Sequence, residues 1–86
     1  MNEMTPPNII TPNNDGLNET FRVLNIEQYP DNHIAIFNRW GRRVYEKDRY
    51  DNTWDGGDVS DGVYFYILDP RDGIAPVQTG TLSIVR

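Results

Sequence analysis

The sequence predicts an all-β fold, an antiparallel sandwich in which two sheets hold about six to seven short strands. Runs rich in β-branched and aromatic residues are separated by Gly, Asn, Asp and Pro at intervals of about ten residues, which is typical of strands joined by tight turns. No apolar stripe at helical spacing continues for as many as about ten residues, so helices are not expected to build the core. A partly open barrel is the alternative arrangement of the same strands.

The length and charge of the chain limit its function. Its 86 residues suit one small domain, which we place at residues 8–86, with residues 1–7 as a linker or an artificial extension. Lys and Arg number 8 and Asp and Glu number 13, and the resulting net charge of -5 argues against binding nucleic acid or an anionic membrane surface. The chain has no Cys and no apolar run near the roughly 18 residues that span a bilayer, so neither disulfides nor membrane insertion are expected.

The N-terminal part of the chain predicts two strands. Pro6 and Pro7 lead into a short strand at residues 9–10, because proline favours extended geometry in the residue before it. The second strand covers residues 21–23, can extend over residues 24–26, and stops at the Tyr-Pro-Asp-Asn sequence that follows.

The middle of the chain predicts a β-hairpin and a long loop. The runs 33–39 and 42–46 flank Trp40-Gly41, where glycine can adopt the positive φ of a tight turn or bulge. Residues 47–61 then form a loop that contains the sequence Trp54-Asp55-Gly56-Gly57.

The C-terminal part predicts two further strands. Residues 62–68 are a continuous run of β-branched and aromatic side chains, which suits a central strand covered on both faces. Residues 69–73 turn the chain, and residues 79–85 close it with period-2 alternation.

The start of the strand at residues 62–68 indicates the type of sandwich. In immunoglobulin-like sandwiches, a Tyr early in a late strand bonds its hydroxyl to the backbone a few residues upstream. Gly62-Val63-Tyr64-Phe65-Tyr66 fits that corner, and the fit turns Tyr64, Tyr66 and Leu68 inward. We therefore expect an immunoglobulin-like sandwich.

Some residues are expected to maintain the fold rather than to bind a partner. Burial is the usual fate of Trp in so small a domain, so we expect Trp54 in the core with Asp55 and Gly56 closing a turn over its ring. The expected structural residues are Gly16, Phe21, Trp54, Asp55, Gly56, Gly62, Tyr64 and Tyr66.

A set of motifs occurs in one order along the chain and covers nearly all of it. In that order they are Asn8-Ile9-Ile10-Thr11-Pro12-Asn13-Asn14-Asp15-Gly16-Leu17-Asn18-Glu19-Thr20-Phe21, Tyr29-Pro30, Ile36-Phe37-Asn38-Arg39-Trp40-Gly41, Val44-Tyr45, Tyr50, Trp54-Asp55-Gly56, Gly62-Val63-Tyr64-Phe65-Tyr66 and Gly80-Thr81-Leu82-Ser83-Ile84-Val85-Arg86. Taken together, these motifs resemble the gliding motility-associated C-terminal domain. The chain departs from the family's usual residues at Asn14, where Gly is more common, and at Glu19, where Asp is.

The resemblance implies recognition rather than catalysis. Domains of this family look like type B sorting signals of the type IX secretion system of Bacteroidota, at the C-terminus of large surface or secreted proteins. The implied partners are the outer-membrane translocon and a partner outer-membrane protein. The implied location is the periplasm in transit, followed by the cell surface or the extracellular space. The alternative is an immunoglobulin-like cell-surface adhesion or glycan-binding module, and in either case we expect a monomer.

The predicted hairpin carries the candidate docking surface. Arg39, Arg42 and Arg43 form a basic cluster on an acidic chain, and Trp40 lies beside them. Trp and Arg are enriched at interface hot spots, and an unpaired strand edge offers backbone groups to a partner strand. The simpler interpretation is a solvated hairpin end whose arginines pair locally with Glu46 or Asp48. The candidate partner-binding residues are Asn38, Arg39, Trp40, Gly41, Arg42, Arg43 and Arg86.

The first loop holds a weaker candidate site for calcium. Oxygen-bearing groups alternate around Gly16, and the candidate ligands are Asn13, Asp15, the carbonyl of Leu17 and Glu19. An EF-hand is excluded, since its last ligand, a Glu, would fall on Arg22. The alternative is an Asx-type turn in which side chains bond nearby backbone amides. No other cofactor is expected.

No residue pattern points to an enzyme. His33 has no second His or Cys at ligand spacing, so we expect a surface residue. Ser60 and Ser83 have no base arranged with them in the sequence. The carboxylates of residues 55–61 lie in one open Gly-rich loop, which provides no burial to separate their pKa values.

Overall fold

The computed structural model describes residues 3–12, 16, 19–57 and 59–85. They contain one five-stranded sheet with the strand order β1-β5-β4-β2-β3. The strands are β1 (Ile9–Ile10), β2 (His33–Phe37), β3 (Arg43–Asp48), β4 (Gly62–Asp69) and β5 (Gln78–Ile84), and a single 3₁₀ turn spans Ile26–Gln28. No helix in the described part of the chain has the length and apolar character needed to cross a membrane. The all-β prediction is confirmed.

The observed sheet differs from the predicted sandwich in its number of strands and in the direction of one strand pair. The described residues form one sheet of five strands, where the sequence predicted about six to seven strands in two sheets. The pairs β2–β3, β2–β4 and β4–β5 are antiparallel as expected, but β1 pairs with β5 in parallel. This parallel pair is short, with Ile9 beside Ser83 and Ile10 beside Ile84.

The strand predicted at residues 21–26 is absent, because its backbone groups are bonded to a loop instead of to a strand. The N–H of Phe21 donates to the carbonyl of Trp54 at 2.8 Å. The side-chain amide of Asn52 accepts from the N–H of Val23 at 2.8 Å and donates to its carbonyl at 3.3 Å. Leu24 exchanges two backbone hydrogen bonds of 3.0 Å with Thr5, inside the segment expected to be a linker. The prediction was wrong because a side-chain amide satisfies the backbone as well as a neighbouring strand does.

The hairpin forms where the sequence placed it. Asn38 ends β2, since its side-chain oxygen accepts from the N–H of Trp40 at 3.0 Å and from that of Arg42 at 2.9 Å. Gly41 has φ of 82°, in the left-handed region that favours glycine. Relative to the predicted runs 33–39 and 42–46, β2 ends earlier, at Phe37, and β3 continues further, to Asp48; the register shifts between Ile36 and Phe37.

The core lies on one face of the sheet, which we call the inner face. Alternate residues of the strands point inward and are fully buried, among them Ile34, Leu68 and Leu82. Two non-strand segments, residues 19–32 and 49–57, cover this face with aromatic side chains. The inner-face core consists of Met4, Ile10, Phe21, Val23, Ile26, Tyr29, Ile34, Ile36, Tyr50, Trp54, Tyr64, Leu68, Leu82 and Ile84.

The structure describes all the residues that were assigned structural roles. Trp54 is 8% exposed, and its ring stacks on that of Tyr45 at a centroid distance of 5.0 Å. The hydroxyl of Tyr64 donates to the carbonyl of Ser60 at 2.6 Å, four residues upstream, which is the predicted tyrosine corner. Asp55 closes the turn after Trp54 by accepting from the N–H of Gly57 at 3.0 Å. Gly16, Gly56 and Gly62 have φ of 82°, 93° and 151°, and Phe21 is fully buried.

Tyr66 also turns inward, and its position explains a glycine in the neighbouring strand. Gly80 lies opposite Tyr66 in the register of β4 and β5. A Cβ atom on Gly80 would lie 2.6 Å from the hydroxyl oxygen of Tyr66, so any larger residue would displace the ring. That ring in turn packs on Phe21 at a centroid distance of 5.5 Å.

The other face of the sheet, which we call the outer face, has no covering segment among the described residues. β4 is a central strand, as predicted, but the expectation that both its faces are covered was wrong. Val63, Phe65 and Ile67 are 50%, 44% and 39% exposed. Both covering segments lie on the inner face, which leaves these side chains in water.

We expect Tyr50→Phe to destabilise the domain. The hydroxyl of Tyr50 donates to the carbonyl of Phe21 at 2.7 Å and accepts from the N–H of Trp54 at 3.1 Å. The variant would leave both buried groups unsatisfied, at a cost of about 1–3 kcal/mol in the free energy of unfolding. Urea denaturation followed by Trp fluorescence measures this cost. Tyr45→Phe is the control, and an equal loss in both variants would contradict the prediction.

Candidate functional site

The tip of the β2–β3 hairpin, residues 38–43, presents Trp40 to solvent. The side chain of Trp40 is 76% exposed, so it does not belong to the core. The guanidinium carbon of Arg39 lies 4.4 Å from the centroid of the Trp40 ring, in a cation–π contact that holds the two side chains together. The backbone below them is ordered by the bonds from Asn38 and by Gly41. We call residues 38–43 the hairpin surface.

The hairpin surface carries positive charge that the described residues neutralise only in part. Arg39, Arg42 and Arg43 are exposed. Arg43 lies 3.5 Å from a carboxylate oxygen of Glu46, a weak exposed pair. Arg39 and Arg42 form no ion pair with any residue in the described part of the chain. Local pairing therefore accounts for one of the three arginines, and it involves Glu46 rather than Asp48.

Six of the seven predicted partner-binding residues lie together at this tip, and the seventh, Arg86, is outside the described residues. The terminal strand is less accessible than the sequence suggested. β5 lies between β4 and β1 in the sheet. The N–H groups of Ser83 and Val85 donate to the carbonyls of Asn8 and Ile10, so the C-terminal end of β5 is paired on both sides. The sheet edge that leads directly into the hairpin surface is β3.

A groove on the outer face continues from the hairpin surface. It has a volume of about 430 Å³ and an apolar floor formed by Phe37, Phe65 and Ile67. Arg39 lines one end, and Thr79 and Thr81 line the side. This groove was not predicted from the sequence. Its signal was nevertheless present there, because the apolar residues 63, 65 and 67 alternate with the inward-facing residues and therefore lie on the outer face.

The opposite end of the outer face is a cluster of paired charges around His33. The imidazole Nδ1 lies 2.7 Å from Asp48 and Nε2 lies 3.1 Å from Glu46, so both contacts are hydrogen bonds only when the ring is protonated. Arg71 also contacts Asp48, at 2.9 Å. The hydrogen bond from His33, helped by the charge of Arg71, holds the pKa of Asp48 below its ordinary value. His33 is thus a half-buried member of an ion-pair network rather than an isolated surface residue.

The calcium prediction falls mostly outside the described residues. Asn13, Asp15 and Leu17 are not among them, and Glu19 lines a separate groove with Gly16. Among the residues that the structure describes, no group of three or more His, Cys, Asp or Glu side chains could hold a metal ion.

We expect the domain to lose stability in acid through Asp48, Asp51 and Asp72. Their pKa values are lowered in the folded state by hydrogen bonds from His33, Thr53 and the backbone of residues 74 and 75. A lowered folded-state pKa contributes stability above the ordinary value of 3.8, and the contribution is lost as the pH falls below it.

Urea denaturation at several pH values between about 5 and 2 tests this sign. The free energy of unfolding should decrease steadily as the pH is lowered through that window. Asp48→Asn should be less stable near pH 5 and should show a shallower pH dependence than the wild type. Asp31→Asn is the control, since Asp31 lies 3.9 Å from Arg49 in an exposed pair. A slope that is unchanged by Asp48→Asn would refute the assignment.

Comparison with known proteins agrees with the motif resemblance. Residues 4–84 match the model of the CHU_C type IX secretion signal domain. The searches of curated proteins and of solved structures found no match. A secretion signal is a targeting module and not a catalytic family, and it implies export of the protein that carries it to the cell surface or the extracellular space. Because the match covers nearly the whole chain, the chain belongs to the type IX secretion signal domain family.

Proposed function

We propose that the chain is a non-catalytic C-terminal sorting domain that docks on the type IX machinery through the hairpin surface. The partners are the outer-membrane translocon and a partner outer-membrane protein, and docking takes place from the periplasm before release to the outside. The exposed Trp40, held by Arg39 on an ordered turn, is the observation that carries this proposal. Family membership supports the sorting role itself.

Energetics favour this surface as a docking point. A large aromatic side chain in water gains free energy when a partner pocket covers it, and arginine adds directed hydrogen bonds. The Asn38 bonds fix the turn before the partner arrives, so little conformational entropy remains to be lost on docking. At the other end of the sheet, His33 already contacts Glu46 and Asp48, so these charges are less able to pair with a partner.

Strand addition to β3 is a compatible route for the partner. β3 is an edge strand along its whole length, and it ends at the hairpin surface. Its exposed positions include Arg43, Glu46 and Asp48, and charged side chains at an edge prevent unspecific pairing with other chains. A translocon strand with matching charges would therefore pair here selectively.

We also propose that the domain is a variant of the immunoglobulin-like sandwich in which loops replace the second sheet. The tyrosine corner supports this assignment. The layer formed by Phe21, Val23, Tyr50 and Trp54 over the inner face occupies the place of that sheet.

Glycan binding has weaker support. A sugar platform built from Trp40 and Trp54 needs both indole rings on one open face, but Trp54 is buried and stacked on Tyr45. Only Trp40 remains as an exposed indole, since the chain contains two Trp residues.

A secretion assay tests the sorting role. The chain is fused to the C-terminus of a fluorescent protein that is sent to the periplasm of a type IX-competent host. We expect fluorescence outside the cell with an intact translocon and none in a translocon-deficient strain. Retention of an intact, folded fusion in the competent strain would overturn the proposal for this domain.

The hairpin variants Trp40→Ala and Arg42→Ala should each reduce export about tenfold, which corresponds to a docking loss of about 1.4 kcal/mol. Both side chains are exposed, so melting should stay within about 2 °C of the wild type. Arg22→Ala, at an exposed position away from the hairpin, is the matched control. Normal export of the Trp40→Ala fusion would exclude Trp40 from docking, and a large fall in melting temperature would show a structural role instead.

A further inference from the structure

The outer groove, lined by Phe37, Phe65, Ile67, Thr79 and Thr81 with Arg39 at one end, is built as a continuous surface. Phe65 lies between Phe37 and Thr81 in the strand register, and Ile67 lies between Ala35 and Thr79. These cross-strand rows place the groove on the three central strands, β2, β4 and β5, which are the most firmly paired part of the sheet. A ligand would therefore meet a rigid floor.

Exposure of this floor is unusual for a central strand. Phe65 and Ile67 are 44% and 39% exposed, although covering the apolar surface that remains in water would be favourable. No described segment of the chain covers these two side chains fully, so the described residues do not gain this free energy. Contiguous apolar surface with a polar rim is typical of an interaction site.

The charges at the two ends of the outer face limit what can cover the groove. Arg39 and Arg42 have no ion pair among the described residues, so this end attracts carboxylates. The carboxylates at the other end, Asp48 and Glu46, are already paired with His33. The occupant therefore needs an apolar side chain for the floor and an acidic group at the hairpin end.

A second copy of the domain fits these requirements poorly. Each copy carries a net charge of -5, so two domains repel each other at long range. An anionic membrane is repelled in the same way. A short segment of another protein can instead present both chemical groups without bringing a large negative domain alongside.

We propose that the outer groove and Arg39 bind a segment of a secretion-machinery protein that carries a bulky apolar side chain next to acidic residues. This inference rests on the proposed sorting function and extends its docking surface from the hairpin surface to the outer face. The apolar side chain lies on Phe65 and Ile67, and the carboxylates reach Arg39 and Arg42. The two exposed threonines of β5 line the side of the groove.

Export of groove variants tests the inference inside the cell. The double variant Phe65→Thr with Ile67→Thr keeps β-compatible residues in the strand and removes the apolar floor. The matched control is Ile74→Thr with Val77→Thr, at exposed positions outside the groove. We expect the groove variant to be exported about tenfold less than the wild type and the control to be exported normally. If the double variant melts more than about 5 °C lower, the single variant Ile67→Thr replaces it.

The same assay separates this inference from the proposed function. Export of the wild type together with normal export of the groove variant would overturn the groove and leave the sorting role intact. No export of the wild type would refute the sorting role, and the groove is then judged by direct binding.

Direct binding uses a synthetic eight-residue peptide in which Phe and Glu alternate, titrated into the labelled domain and followed by NMR. We expect shifts at backbone amides of β2, β4 and β5 and at Arg39, with binding weakened at least about fivefold by about 0.5 M salt or by replacing Glu with Gln. Peptides with Lys in place of Glu should not bind. Absence of shifts at about 2 mM peptide, or equal binding of the Lys peptide, would overturn the inference.

Two other occupants have distinct signatures. A dimer in sedimentation that is lost in the groove variant would assign the groove to a second copy of the chain. Binding of the domain to anionic phospholipid vesicles that is lost in the groove variant would assign it to a membrane. Either result would overturn the proposed segment.

Discussion

Three hydrogen bonds around the hydroxyl of Tyr50 fasten together the two loop segments that cover the sheet. The hydroxyl donates to the carbonyl of Phe21 and accepts from the N–H of Trp54, and the N–H of Phe21 donates to the carbonyl of Trp54. Two segments without strand partners are thereby joined over the inner face. Burial in this layer raises the pKa of Tyr50 far above its ordinary range, so the hydroxyl remains protonated and able to donate. The buried side chain of Asn32 joins the same two segments nearby. Its amide nitrogen donates to the carbonyl of Tyr29, and its amide oxygen accepts from the N–H of Tyr50.

This arrangement divides the small domain into a structural face and an exposed face. The chain has enough segments outside the strands to cover one face of five strands, and the two that supply the aromatic layer, residues 19–32 and 49–57, both lie on the inner face. The outer face and the hairpin surface consequently remain in water on a rigid sheet. A sorting signal needs such a division, because the surface that the machinery reads has to stay accessible while the core stays closed.

Much of the fold was predictable from local patterns. Gly41 beside Trp40 and the Asn38 side chain define the turn of the hairpin, and Tyr64 four residues after Ser60 forms the expected corner. The failures share one cause. Residues 21–26 have a strand-like composition, but Asn52 and Trp54, distant in sequence, satisfy their backbone groups first. Likewise the continuous apolar run of β4 indicates two apolar faces without indicating that the chain covers both.

The sequence by itself determined the all-β class, the family, the hairpin with its turn, and the residue types of the hairpin surface, because these depend on local propensity and on motif order. Only the tertiary structure decided that loop segments cover the inner face, that Val63, Phe65 and Ile67 stay exposed on the outer face, and that Arg39 lines an apolar groove. These features depend on contacts between residues far apart in the chain. A pattern of neighbouring residues does not indicate which distant group will bond a backbone amide or cover a strand face in the folded domain.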